Sequence, residues 1–153
     1  MSSLFHALIS EYIYECLKEY LKSHPVGKVV PSPIFVRLGH RHIRLPDLTF
    51  LFTARLAGDR TKAQDGADLV VEVVSGDAED RQRDLVEKRA AYANAGIAEY
   101  WIVDPETRTI TVLAREGDAY REAGKYPAGT QAASVLLPGL AIDVMAAFRA
   151  AEK

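Results

Sequence analysis

From Leu4 to Leu21 apolar residues recur at steps of three and four, with Leu8, Ile9, Tyr12, Ile13, Cys16 and Leu17 on one side and Glu11, Glu15, Lys18, Glu19 and Lys22 on the other. That period predicts an amphipathic helix, stopped by His24-Pro25 and Gly27. Lys28 to Leu38 is rich in Val, Ile and Phe, but Pro31 and Pro33 cannot donate to a ladder, so an edge or irregular strand is expected before a turn at Gly39. The run PDLTFLF (Pro46 to Phe52) reads as a strand, Arg55 to Gly66 as a polar connection, and DLVVEVVS (Asp68 to Ser75) as a buried strand. Gly76-Asp77 opens a helix over Ala78 to Ala95, closed by Asn94 to Gly96. EYWIVD (Glu99 to Asp104) is the next strand, and Pro105 to Thr107 turns it into a hairpin with Thr109 to Leu113. Weaker strand patterns follow at Tyr120 to Tyr126 and Ala133 to Leu137, and a short helix closes the pattern over Val144 to Ala151. This order predicts an α/β fold, a mixed sheet flanked by helices, with a right-handed crossover from the Asp68 strand to the Glu99 strand.

Composition narrows the class. The 153 residues suit one domain, 1–153, and 48% hydrophobic with 26% charged content is that of an ordinary globular chain. The lone Cys16 has no disulfide partner, and the chain carries neither zinc-type Cys/His spacing nor an apolar run near the roughly 18 residues a membrane span needs. A cytoplasmic protein is expected. A net charge of −2 argues against the broad basic surface of a non-enzymatic nucleic-acid binder, but not against a nuclease, whose bound cations bring charge of their own.

Charge inside a buried strand is the informative anomaly, because an ionised carboxylate among apolar neighbours is costly unless paired or metal-bound. Alternation sets Val70, Glu72 and Val74 on one face and Leu69, Val71, Val73 and Ser75 on the other, while Asp47 opens its own strand. If the two strands are neighbours, Asp47 and Glu72 can converge on Mg²⁺ or Mn²⁺, which keeps most of its waters and takes few protein carboxylates. Such an ion would activate water and stabilise a leaving oxygen in phosphodiester hydrolysis. Lys88 is the cation that could serve the water or the developing charge. Arg81, Asp84 and Lys88 share a helical stripe, so Asp84 and Arg81 are expected to support it.

The blocks PDLTFLF, DLVVEVVS and DLVEKRAAYANAGIAEYWIVDPE, between Pro46 and Glu106, resemble the Uma-type restriction endonuclease family of the PD-(D/E)xK nuclease superfamily. The resemblance implies a restriction-endonuclease-like fold, a DNA endonuclease, an acidic metal pair at Asp47 and Glu72, a catalytic lysine at Lys88, and a homodimer. Two departures stand out. Val74 occupies the position where the superfamily pattern has its strand lysine, so that role passes to Lys88. Family members also carry a further segment, with a Tyr-Glu-Leu-like strand and another acidic residue, ahead of the first helix, so an N-terminally short member is expected.

Plainer readings stand beside these. Glu72 could pair with an arginine, Asp47 could cap a turn, and Lys88 could form an i,i+4 surface pair with Asp84. His6, His40 and His42 read as exposed, Arg83 as solvated, Tyr100 and Trp101 as core, and Cys16 as a buried thiol. The rival function is a catalytically inactive relative acting as a dimeric binding or regulatory module, favoured by Val74 and the slightly acidic charge.

Overall fold

The computed structural model describes residues 3–74 and 76–152. Helix α1 (Leu4–Ser23) starts at Ser3, whose hydroxyl accepts the His6 N–H, and ends at His24, matching the stripe read from the sequence. Ile9, Ile13 and Leu17 are its buried positions.

The apolar stretch expected from Lys28 to Leu38 divides in two. Strand β1 (Gly27–Pro31) pairs with β4 (Leu48–Phe52), whereas β2 (Val36–Gly39) leaves for a separate sheet. Pro31, which ends β1, and Pro33 just beyond it lack donors and interrupt any continuous ladder. β2 pairs with β3 (His42–Arg44) and with the short β5 (Gln64–Asp65), so two short strands emerge where only turn and polar connection were expected.

β6 (Leu69–Val73) is buried along its whole length; Ser75, assigned to that strand from the sequence, lies outside the described residues. The expected helix after it forms as three consecutive segments: α2 (Ala78–Gln82), a wide π-type turn (Arg83–Glu87) and α3 (Lys88–Asn94). It carries the chain to β7 (Glu99–Asp104), parallel to β6, and then to β8 (Thr109–Glu116) and β9 (Ala119–Pro127). The main sheet is six-stranded and mixed, in the order β1-β4-β6-β7-β8-β9.

Its two faces bury separate cores. One gathers Leu48, Phe50, Leu69, Val71, Trp101 and Val103 against α1 and against α4 (Val144–Arg149). The other gathers Val70, Val74, Tyr100 and Ile102 with Tyr92 of α3 and Val36 of β2. Helices thus flank a mixed sheet, as the sequence pattern requires. Among the described residues no helix is long and apolar enough to cross a membrane.

One expected strand does not form. β10 (Gln131–Ala133) pairs with β11 (Ala141–Asp143), and residues 134–137 turn instead of extending. The reason is Glu99, 1% exposed, whose carboxylate accepts the Val135 and Leu136 N–H groups, the Ser134 hydroxyl and the Trp101 indole N–H. Donors committed to a carboxylate are not free for a ladder.

Candidate functional site

The site begins where the β4–β6 ladder stops. Its last pair is Leu48 opposite Val71; the residue two before Leu48 is Pro46, which has no N–H to give. Side chains continue the pairing from there. Asp47 accepts the Val73 N–H through Oδ2 at 2.7 Å, and Glu72 accepts the Asp47 N–H through Oε1 at 3.2 Å. The neighbouring strands therefore bring both acidic residues to one end of the sheet, at the carboxyl end of the parallel β6–β7 pair, a common position for ligand sites in α/β folds.

Glu72 is 2% exposed and shares the second core's face with Val70 and Val74. Its Oε2 accepts the Tyr92 hydroxyl at 2.8 Å and lies 2.9 Å from Lys88 Nζ, which is also 2.7 Å from Asp84 Oδ1. Lys88 is thus held between a strand carboxylate and a helix carboxylate. The π-type turn shapes this arrangement: the Lys88 N–H bonds back to the Arg83 carbonyl, widening the helix where Asp84 turns inward.

Electrostatics follow from burial. Desolvation pushes Glu72 up, Lys88 opposes it and Asp47 adds to it, leaving the carboxyl at about 7. The bridge to Lys88 does not offset burial, since that one ammonium is shared with Asp84. Desolvation also raises Asp47, against the Val73 N–H and Lys88, which lower it. Burial works against the charge of Lys88, but Glu72 and Asp84 outweigh it and hold its proton on. Burial and then Glu72 push the Tyr92 hydroxyl far up, so it stays a donor.

Of the five side chains singled out in the sequence, four meet here. Arg81 does not: it forks onto Asp104 at 2.8 and 2.9 Å and also reaches Glu106 at 3.1 Å. The wide turn between Arg81 and Lys88 breaks the regular stripe that would have joined them. Arg83 is paired with Asp80 and Glu79. Tyr92 was missed as a site residue, although a tyrosine on the inward stripe of the crossover helix, opposite a strand glutamate, is a usable signal.

The donor set suits a hard divalent cation. Among the described residues, no group of three or more His, Cys, Asp or Glu side chains could hold a metal ion, so the site offers two strand carboxylates alone. Two are enough for Mg²⁺ or Mn²⁺, which completes its shell with water and substrate oxygens. The upward push on both carboxyls is what a nearby cation would relieve. Asp47, though neither Glu72 nor Lys88, borders an open groove of about 480 Å³ shared with His6, Ser10, Glu11 and Tyr14 of α1.

The family model Uma2, described as "Putative restriction endonuclease", matches residues 1–145. The chain belongs to the Uma2 family. Among curated proteins none matches it significantly. Among solved structures, this Uma2 chain is similar to one described as "a putative nuclease belonging to DUF820" from Anabaena variabilis ATCC 29413, with a TM-score of 0.76 at 14% identity, over 99% of this chain and 84% of that one. At that identity the likeness is one of fold alone. The family expected from the Pro46–Glu106 blocks is the family found, and the match takes in α1 as well.

Proposed function

We propose that this Uma2 chain is a Mg²⁺- or Mn²⁺-dependent endonuclease that hydrolyses DNA phosphodiester bonds. The observation carrying this reading is the convergence of Asp47, Glu72 and Lys88 where the β4–β6 ladder ends. A lone acidic pair would mean little. A pair with raised proton affinity, a shared lysine and a groove alongside, in a chain of this family, is a nuclease's equipment.

Asp47 and Glu72 would hold the ion, which when bound supplies an activated water and charge stabilisation at phosphorus. Lys88 Nζ stays protonated and serves as a fixed positive charge for the attacking water or the charge developing on the phosphoryl oxygens. Asp84 steers Lys88 through its 2.7 Å contact and takes no part in the bond change. Tyr92 holds Glu72 in one rotamer by donating to Oε2. Arg81 acts at a distance, fixing the start of the helix to the end of β7. A homodimer with twofold symmetry would set two such sites against the two strands of a duplex, and the lone Cys16 suits a reducing cytoplasm.

The test is cleavage of supercoiled plasmid with Mn²⁺, Mg²⁺ or EDTA, using wild type and an identically purified Glu72→Ala variant. Metal-dependent nicking that disappears in the variant is the expected result. Equal cutting by both would expose a contaminant, and none from either would favour the inactive relative acting as a dimeric binding or regulatory module.

A further inference from the structure

Strand β3 is turned inside out. His42–Arg44 leaves Ile43 47% exposed, and Leu45 just beyond it is 45% exposed, while the arginine between them points inward. Arg44 lies opposite Val36 of β2, so the two share a face, and Val36 is packed in the core that contains Tyr92 and Val70. Inward arginines are rare unless something neutralises them. Among the described residues nothing does: Arg44 has no hydrogen-bond or ionic partner there, and its Nε is buried without an acceptor. Arginines 81, 83 and 89, also half-buried, each have one.

The position of this unpaired charge is informative. Arg44 is joined to Asp47 only through Leu45 and Pro46, and it lies close enough for its charge to act on the Tyr92 phenol, the group that donates to Glu72. Asp47, Glu72 and Asp84 meanwhile share a single lysine. An arginine this near the site that pairs with no described carboxylate is free for an anion from outside.

We propose that Arg44 is a substrate-positioning residue that forks onto a backbone phosphate of DNA lying across the Asp47–Glu72 site. This rests on the nuclease reading above. A planar guanidinium takes a phosphate through two parallel N–H bonds, and leaving a seat in which Nε has no acceptor sacrifices no hydrogen bond. Lys88 is already held by two carboxylates, so Arg44 would add a positive charge that no described carboxylate claims.

The experiment is fluorescence anisotropy of a labelled random-sequence DNA duplex against salt, with Ca²⁺ in place of Mg²⁺ and the duplex checked for integrity afterwards. Arg44→Gln should raise Kd about tenfold and reduce the slope of log K against log salt by about one, the signature of one lost phosphate contact. Arg149→Gln, which removes an exposed arginine on α4, should change neither. Arg44→Lys should keep the slope and lose several-fold in affinity, because a point charge replaces a fork. If Arg44→Gln misfolds, the lysine variant decides, and wild-type affinity in it overturns the proposal. A lowered Tm with unchanged Kd and slope makes Arg44 structural and also overturns it, while Glu72-dependent plasmid cutting by wild type leaves the nuclease reading standing. A wild type that neither binds duplex nor cuts plasmid removes both.

Discussion

The Asp47 carboxylate commits one oxygen to the Val73 N–H, so its charge and its place in the fold are separable by mutation. Asp47→Asn keeps an acceptor there and should unfold within about 1 kcal/mol of wild type, whereas Asp47→Ala strands a buried N–H and should cost about 1–3 kcal/mol. Urea melts of both variants, compared with their metal-dependent cutting, test this: activity is expected to vanish in each, and stability to drop clearly in Asp47→Ala alone. Lys88→Ala should lower kcat about 100-fold or more with KM little changed, since its charge serves the transition state. A matching loss in DNA affinity would make it a phosphate anchor instead. The acidic pair was legible because a glutamate inside LVVEVV is an anomaly in any reading. Glu99 meets the same criterion, yet its oxygens take four neutral donors, three of them from residues 134–136. Glu72 instead meets an ammonium and stands beside Asp47, and what sets the two glutamates apart lies in partners far off in sequence.

Among the elements, α1, β4, β6, β7 and the β7–β8 hairpin were legible because long apolar periods and proline or glycine boundaries fix them locally. The shortest strands were not, since β3, β5, β10 and β11 hold two or three residues each and owe their ladders to partners. The π-type turn was illegible for another reason: its sequence, RDLVE, is good α-helix material, and only the need to aim Asp84 and Lys88 at Glu72 distinguishes it. Its effect on Arg81 gives an element-scale prediction. Arg81→Ala should release α2 from the end of β7 and cost about 2 kcal/mol, with faster amide exchange in α2, because a nearly buried Asp104 carboxylate loses its fork. Its kcat should fall only as far as the helix start loosens; an effect as large as that of Lys88→Ala would return Arg81 to the site itself.

The molecule as a whole carries the site as a liability when metal is absent. Glu72 is raised from 4.5 to about 7 in the fold, so it adds stability below about pH 4.5 that is lost as pH rises through 7. Asp104 works oppositely. Burial alone would raise it, Arg81 outweighs burial and lowers it, and its contribution is lost only as pH falls below the ordinary aspartate range. Metal-free protein should therefore weaken between about pH 5 and pH 8 by roughly 3 kcal/mol at most, and Glu72→Gln should flatten that dependence. Chemical denaturation across that range checks the sign; a stability that rises with pH would refute it. The side-chain bonds that prolong the β4–β6 ladder carry an evolutionary consequence. Asp47→Asn and Glu72→Gln would keep both acceptors and shed the electrostatic burden, so a lineage needing only the fold would drift toward amides. Carboxylates retained at both positions across relatives would be the mark of selection for negative charge.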